Sequence, residues 1–310
     1  MNVKRSTYKN LFNRKHNRKH KIGWLLLPFL LLVIIWCLLP MVRAITLVGN
    51  IRNTVEPSSA HIGFPVQEVH FTATDGVHLA GWLAVASPRA PTVILVHGFK
   101  GSRQDMLPWA SFLYAGGYNV LLFDSRGCGE SEGWSIALGA REPDDVVGAV
   151  RYLQGRSDLL NKRFGALGMS LGAGVVLLAA AREPALLATV ADSSWADESL
   201  QIDRMGNVDR LPVLPYEPAL VDMLIQAHLA DARPVAVIHQ IAPRAIFLIH
   251  SADDRNATTP LQGEQQLYAA AGAPKQQWIA PSGGHVGAIS AHKTEYEQRV
   301  LAFFAHYLKQ

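Results

Sequence analysis

The sequence contains only two cysteines and lacks the residue patterns of the common metal and cofactor sites. Cys37 lies in an apolar run and Cys128 in a polar loop segment, so we expect no internal disulfide. There is no H-E-x-x-H, no paired C-x-x-C, no Walker loop and no G-x-G-x-x-G between a strand and a helix. These absences exclude the sites that such motifs define, and no metal or organic cofactor is implied.

Acidic residues are missing from the first 43 positions, which hold nine of the 29 Lys and Arg residues. The remaining chain has 20 basic residues against all 25 acidic ones, a formal charge of −5. The excess positive charge therefore belongs to the N-terminal tail alone. Because a nucleic-acid-binding domain needs basic residues on its folded surface, we expect no nucleic-acid partner.

Charge of either sign is missing from residues 22–42. As a helix this run would measure roughly 31 Å, close to the hydrocarbon thickness of a bilayer. We therefore expect a transmembrane signal anchor over 22–43. The positive-inside rule then places the basic tail, 1–21, in the cytoplasm and the rest of the chain outside it. A cleaved signal peptide is the alternative, because residues 42–44 loosely fit the small-x-small cleavage rule.

The rest of the chain divides into a linker, 44–65, and one large domain, 66–310. From residue 66 a hairpin of two strands is followed by alternating strands and helices. This pattern predicts an α/β fold with a mostly parallel central sheet and helices on both faces. The segment 193–240 interrupts the alternation. We expect it to form a small cap over the site, with extra packing over the sheet as the alternative.

One pentapeptide, residues 168–172, reads G-x-S-x-G between an apolar strand-like run and a small-residue helix. In a nucleophile elbow the serine occupies a strained strand-to-helix turn, and the flanking glycines avoid clashes across it. A second match, residues 129–133, follows a polar segment and precedes no convincing helix. Context therefore makes Ser170 the candidate nucleophile and not Ser131. An ordinary helix N-cap is the alternative interpretation of Ser170.

A serine nucleophile on an elbow of this kind requires an acid and a histidine farther along the chain. Asp253 and Asp254 follow a buried strand-like run, and His285 follows a short strand on a glycine-rich loop. A histidine in that position is free to reach back over the edge of the sheet. Chemistry alone does not separate Asp253 from Asp254, and Asp192, after another strand, is a further substitute acid.

Four segments in this order resemble the α/β-hydrolase superfamily: residues 97–99, residues 124–131, the elbow, and the pair Asp254 and His285. The resemblance covers roughly residues 66–310. It is nearest to the bacterial serine hydrolases that include dienelactone-hydrolase-like and serine-aminopeptidase-like members. It implies the α/β-hydrolase fold, and the spacing in that family favours Asp254 as the triad acid.

The resemblance also implies an oxyanion hole made by two backbone N–H groups. One comes from Phe99, in the loop after the third strand, and the other from Leu171, directly after the nucleophile. His97, Asp124 and Arg126 are expected to shape the neighbouring loops and to take no part in the chemistry.

The activity we expect is hydrolysis of carboxylic esters or related acyl compounds through an acyl-enzyme. The partners are then a small acyl or ester substrate and, for the N-terminal helix, the membrane. A serine peptidase of the aminopeptidase type is one alternative, because acids in the cap are available to hold an α-amine: Asp197, Glu198, Asp203 and Asp222. A noncatalytic binding protein on the same fold is the other, disfavoured because every catalytic position is filled.

Overall fold

The computed structural model describes residues 27–50, 55, 62–197 and 214–309. The chain divides into two compact units, residues 1–47 and residues 48–310. The described part of the first unit belongs to helix α1, Leu27–Val48, which has a mean hydropathy of 2.4. Within the described residues, α1 is the one helix that is long and apolar enough to cross a membrane.

Helix α1 continues past the predicted anchor. It includes residues 44–48, which the sequence analysis assigns to the linker. This stretch contains neither Gly nor Pro, and the helix ends at Val48 because Gly49, which follows it, has a poor helix propensity. The predicted basic tail and residues 22–26, together with linker residues 51–54 and 56–61, lie outside the described residues.

The second unit is built on a single eight-stranded sheet. Its strands are β1 (Gln67–Thr72), β2 (His78–Ala84), β3 (Thr92–Val96), β4 (Asn119–Phe123), β5 (Phe164–Met169), β6 (Leu186–Asp192), β7 (Ala245–Ser251) and β8 (Lys275–Ala280). They lie in the order β1-β2-β4-β3-β5-β6-β7-β8. The pairs β1–β2 and β2–β4 are antiparallel, and the other neighbouring strands are parallel. The predicted hairpin and mostly parallel sheet are confirmed.

Helices cover both faces of this sheet. Those described are α2 (Leu107–Ala115), α3 (Glu142–Gly155), α4 (Leu171–Arg182), α5 (Glu217–Ile225), α6 (Pro234–Val237), α7 (Leu261–Ala270), α8 (Ala288–Ala291) and α9 (Lys293–Leu308). Residues of α3 and α4 pack in one hydrophobic cluster, and residues of α2 and α9 pack in the other.

Successive residues of β3 face opposite sides of the sheet. Ile94 and Val96 pack in the cluster that contains α3 and α4, whereas Val93 and Leu95 pack in the cluster that contains α2 and α9. A central parallel strand buried on both faces has no polar alternation, which explains the apolar run over residues 93–96 of β3. The result is a rigid sheet whose carboxyl edge carries the loops of the site.

The segment 193–240 is helical over much of its described part. It contains α5, α6 and two short 3₁₀ turns, Leu229–Asp231 and Ile238–Ile241. Residues 198–213 lie outside the described residues, so a cap over the site stays a prediction.

Candidate active site

Ser170 lies at the turn between β5 and α4. Its backbone adopts φ 54° and ψ −119°, a conformation that is energetically costly for a residue other than glycine. Close packing holds this turn in place: a Cβ on Gly168 would overlap the backbone of Gly172, and a Cβ on Gly172 would overlap the carbonyl of Val96. The N–H of Ser170 donates to the carbonyl of Asp192 at 2.8 Å. The geometry is that of a nucleophile elbow.

His285 reaches Ser170 from the loop that follows β8. Its Nε2 lies 2.8 Å from Ser170 Oγ, and its Nδ1 lies 3.0 Å from Asp254 Oδ2. The Asp254 side chain is fully buried, whereas that of His285 is 27% exposed. Thr259 Oγ1 lies 3.1 Å from the same Nδ1, a contact that the sequence analysis misses. The structure therefore brings hydroxyl, imidazole and carboxylate together in the order of a catalytic triad.

The three candidate acids occupy different places. Asp254 contacts His285 directly. Asp253 is exposed and accepts a hydrogen bond from the N–H of Gly284 at 2.9 Å. Asp192 is fully buried and makes its hydrogen bonds elsewhere. Of the three, only Asp254 contacts the histidine that faces the nucleophile.

Hydrogen bonds keep Asp254 ionised. Burial by itself would raise the pKa of this carboxyl, but the side chains of His250 and His285 and the N–H of Asn256 stabilise the anion and hold the pKa well below its usual value. His250 is fully buried at the end of β7, and its Nε2 lies 3.3 Å from Asp254 Oδ2. This role has a weak signal in the sequence, because His250 closes an apolar run and only its spacing of four residues to Asp254 points to it.

Leu171, one predicted oxyanion donor, follows the nucleophile directly, and Phe99, the other, lies on the loop that adjoins it. Leu171 is the first residue of α4, where backbone N–H groups have no partner within the helix. Phe99 follows Gly98, and a Cβ on Gly98 would lie 3.3 Å from the Cβ of Ser170. The loop after β3 therefore approaches the nucleophile closely, and a side chain at position 98 would make a tight contact with Ser170.

His97 fixes the loop that carries Phe99. Its ring is buried; Nδ1 lies 2.8 Å from the carbonyl oxygen of Gly98, and Nε2 lies 3.0 Å from the backbone N of Ser125. A backbone N–H only donates, so Nε2 is the acceptor and Nδ1 carries the proton. Burial lowers the pKa of His97, which favours this neutral form. His97 joins the loops after β3 and β4.

Ser131, the serine of the second G-x-S-x-G match, is buried in the loop after β4. Its hydroxyl donates to the carbonyl of Asp124 at 2.6 Å and accepts from the N–H of Ala80 at 3.0 Å. Both hydrogen-bonding directions of the hydroxyl are occupied by backbone groups. This serine joins the loop to β2 and lies apart from the triad.

Asp124 and Arg126 stabilise the same loop through ion pairs. Asp124 pairs with buried Arg103 at 3.1 Å, and Arg126 pairs with Asp145 and Asp75 at 2.6 Å each. The partners lie between 19 and 51 residues away in the sequence. These ion pairs tie the turn to distant elements, and within the loop the N–H of Glu130 donates to Asp124 Oδ2 at 2.9 Å.

Asp192 is the centre of a second buried network beside the triad. Tyr296 donates its hydroxyl to Oδ2 at 2.7 Å, and Ser193 donates its hydroxyl to Oδ1 at 3.0 Å. Trp109 Nε1–H donates to the Tyr296 hydroxyl at 2.8 Å, and the N–H of Val286 donates to Ser193 Oγ at 3.1 Å. Burial raises the pKa of Asp192 to about 6. Since Val286 follows His285, this network anchors the loop that carries His285.

An open pocket of about 430 Å³ lies beside Asp254. Its lining is mostly polar: Asp254, Arg255, Asn256, Ala257, Pro260, Leu261, Gln262 and Gln265. Across the described ranges, no group of three or more His, Cys, Asp or Glu side chains is arranged to hold a metal ion.

Comparison with known proteins identifies the family. Residues 73–236 match the family model described as X-Pro dipeptidyl-peptidase (S15 family). The chain belongs to the S15 family. Its relatives include the uncharacterized protein YfhR of Salmonella typhimurium, 30% identical over 89% of this chain and 93% of the relative. The uncharacterized protein YqkD of Bacillus subtilis is 29% identical over 74% of this chain and 75% of the relative.

The chain is also similar to a solved structure, that of the Pyrococcus furiosus esterase Pf2001. It superposes with a TM-score of 0.70 and 26% identity, over 84% of this S15-family chain and 98% of the esterase. Together with the family match, this likeness shows that the chain is a serine hydrolase with the α/β-hydrolase fold. The α/β-hydrolase fold and the serine-hydrolase class, both predicted from the sequence, are confirmed.

Proposed function

We propose that this S15-family hydrolase cleaves carboxylic esters with Ser170, His285 and Asp254 as its catalytic triad. The observation that carries the proposal is the unbroken path of contacts from Ser170 Oγ through the His285 ring to Asp254, at 2.8 and 3.0 Å. The nucleophile stands on a strained elbow, and the acid at the other end is buried and held ionised.

The chemistry follows from this path. His285 Nε2 accepts the Ser170 proton as Oγ attacks the acyl carbonyl, and it returns that proton to the alcohol as the ester bond breaks. Asp254 holds Nδ1–H of His285, which fixes the tautomer and stabilises the imidazolium. Water then attacks the acyl-enzyme with the same histidine as base, releasing the carboxylic acid and restoring Ser170.

The oxyanion of each tetrahedral intermediate is assigned to the N–H groups of Phe99 and Leu171. A donor of this kind is worth on the order of 3 to 4 kcal/mol in the transition state. Gly98 supports the assignment, because its lack of a side chain lets the Phe99 backbone approach Ser170.

The likeness to Pf2001, an esterase, favours an ester substrate. The peptidase alternative requires acids in the segment 193–240 that are available to bind an α-amine. The two such acids that the structure describes already have partners. Asp197 pairs with Arg233 at 2.8 Å, and Asp222 accepts from the N–H of Leu229 at 2.9 Å. Acids already engaged in this way are poorly placed to hold a free α-amine. The other two, Glu198 and Asp203, lie outside the described residues.

A second candidate activity is removal of N-terminal X-Pro dipeptides, and the S15 family match favours it. It would use the same three residues, because acyl transfer from an amide passes through the same intermediates. Ester and peptide hydrolysis therefore differ here in the substrate pocket and not in the triad.

We also propose that α1 anchors the hydrolase in a membrane, with the N-terminus in the cytoplasm and the catalytic domain outside it. The length and hydropathy of α1 support a span. The basic residues before position 22 support the orientation. A cleaved signal sequence is the competing possibility for the same segment.

A substrate panel tests the proposed activity. The full-length protein in detergent is given p-nitrophenyl esters of increasing acyl length, aminoacyl anilides and X-Pro anilides, with Ser170→Ala as the control. We expect rapid turnover of esters, little turnover of either anilide class, and none by the variant. Turnover of X-Pro anilides above that of every ester would instead favour the dipeptidyl-peptidase activity.

A further inference from the structure

Val48, the last residue of α1, and the two residues after it are attached directly to the catalytic domain. Residues 48–50, which we call the exit segment, run alongside the loop after β4. The N–H of Ile136 donates to the carbonyl of Val48 at 2.9 Å, and the N–H of Asn50 donates to the carbonyl of Trp134 at 3.2 Å. These hydrogen bonds lie within the second unit and fix the point at which the chain enters it.

The exit segment lies close to the oxyanion loop. The amide of Asn50 donates to Cys128 Sγ at 3.4 Å. Cys128 and Ile136, both in contact with the exit segment, line the same small cavity as Gly98 and Leu171. One layer of residues therefore separates the exit segment from the backbone groups beside the nucleophile.

The direction of the strands also places the exit segment near the candidate active site. The loop that binds the exit segment follows the carboxyl end of β4, and β4 is parallel to β3, β5 and β7 through the sheet. Phe99, Ser170 and Asp254 follow the carboxyl ends of those three strands. The chain thus enters the domain at the edge of the sheet that carries the candidate triad.

The tether between a membrane span and this edge is short. Residues 43–47 separate the apolar run from the exit segment, and they are helical. Five helical residues advance by about 8 Å. The headgroup layer on each side of a bilayer is roughly 5 to 8 Å thick. An exit segment tethered in this way lies at the level of the lipid headgroups.

Two large apolar side chains are exposed at the same edge. Trp134 is 53% exposed beside the exit segment, and Phe99 is 48% exposed on the oxyanion loop. Tryptophan is enriched at membrane–water interfaces, where its ring sits among the headgroups. Leu160 is 64% exposed but lies in the loop that precedes β5, at the opposite edge of the sheet, and so provides a matched control.

We propose that the catalytic edge faces the bilayer, that Trp134 inserts among the headgroups, and that the substrates are amphipathic acyl esters resident in the adjoining leaflet. This inference rests on the proposed esterase activity and on the proposed anchor. The ester C–O bond breaks as the acyl group transfers to Ser170 Oγ, and the alcohol leaves with the proton from His285. One water then releases the fatty acid.

The position of the edge is tested with a fluorophore. Full-length protein with Cys37→Ala keeps only Cys128, which is buried and so protected from labelling. Trp134→Cys or Leu160→Cys then receives a nitrobenzoxadiazole dye, and the protein is reconstituted in phosphatidylcholine–phosphatidylglycerol vesicles with or without doxyl-labelled lipid. We expect at least threefold stronger quenching at position 134 than at position 160. Equal quenching at the two positions would overturn the proposal.

The substrate class is tested in the same vesicles, doped with a fluorogenic long-chain ester, and with p-nitrophenyl acetate in solution. We expect Trp134→Ser to lower turnover of the vesicle ester at least fivefold and to leave p-nitrophenyl acetate turnover unchanged, while Leu160→Ser changes neither. A wild type that hydrolyses the soluble ester but not the vesicle ester refutes this inference alone. A wild type that hydrolyses neither refutes the proposed esterase activity itself.

Discussion

Asp253 and Asp254 are neighbours in the sequence with opposite surroundings. Asp253 is exposed and accepts a backbone N–H, whereas the buried Asp254 carboxylate contacts the rings of His250 and His285. We predict that Asp254→Asn lowers kcat by about 10³- to 10⁴-fold, because an amide stabilises the wrong tautomer of His285. Asp253→Asn should lower it less than about tenfold, and steady-state ester kinetics measure both.

Thermal unfolding of both variants serves as the control, since a misfolded variant would lose activity for another reason. The opposite ranking of the two variants would transfer the acid's role to Asp253. Full activity in both would point to Asp192 as the acid.

Ser131 gives a contrasting prediction. Ser131→Ala leaves the N–H of Ala80 and the carbonyl of Asp124 without their partner in a buried site, so we expect a loss of about 1 to 3 kcal/mol in the free energy of unfolding. Activity per folded molecule should stay within about twofold of wild type. Urea denaturation and ester kinetics check the two parts, and a stable but inactive variant would contradict this structural role.

The residues of the candidate site differ in how far the sequence predicts them. Ser170 and His285 carry local signals, a glycine-flanked turn and a glycine-rich loop, and the structure brings them within 2.8 Å. His250 and Thr259 carry no such signal. His250 contacts Asp254 only four residues farther along the chain, whereas Thr259 contacts His285 because the loops after β7 and β8 lie side by side.

At the scale of elements, the loop with His285 depends on β6 and α9. Asp192 ends β6, receives the hydroxyl of Tyr296 from α9, and reaches the loop through Ser193. The sequence suggests Asp192 only as a substitute acid. Its contact with Tyr296 depends on the tertiary structure, which brings the end of β6 next to a helix far away in the sequence. The end of α1 has a local cause instead, because Gly49, which follows Val48, has a poor helix propensity.

The buried carboxyl of Asp192 makes stability depend on pH. Its pKa rises from 3.8 to about 6, so the folded protein holds a proton that the unfolded chain has released. The resulting stabilisation is fully present below about pH 3.8 and is lost as the pH rises through 6. The difference between the two values corresponds to about 3 kcal/mol.

Asp192→Asn removes this titration. We therefore predict that the unfolding free energy of wild type minus that of the variant decreases by about 2 kcal/mol between pH 4 and pH 7. Urea denaturation at four pH values measures the difference. A difference that stays constant over this range would show that burial does not perturb Asp192.

At the scale of the whole molecule, charge and hydropathy divide the chain into parts of different character. The structure also separates residues 1–47 from residues 48–310 as compact units. No candidate catalytic residue precedes Phe99, so the catalytic unit should function without the first one. The sequence predicts this division because it depends on composition, whereas the attachment of the exit segment to a distant loop depends on the fold.

We predict that the full-length protein stays in the membrane fraction through a carbonate wash, and that removing residues 1–44 releases a soluble, active domain. Fractionation, N-terminal sequencing and ester kinetics check these outcomes. A mature N-terminus at or near Ile45 would show that the segment is a cleaved signal peptide. A catalytic domain open to protease only from the cytoplasmic side would contradict the orientation.

Covalent labelling with a fluorophosphonate probe tests the central claim most directly, because this probe reacts with an activated serine and requires no knowledge of the substrate. The full-length protein is labelled, digested and analysed by peptide mass spectrometry beside Ser170→Ala and Ser131→Ala. We expect one modified residue, Ser170, in the wild type and in Ser131→Ala, and no modification in Ser170→Ala. Absence of labelling in the folded wild type, or a label on Ser131, would contradict the assignment of Ser170 as the nucleophile.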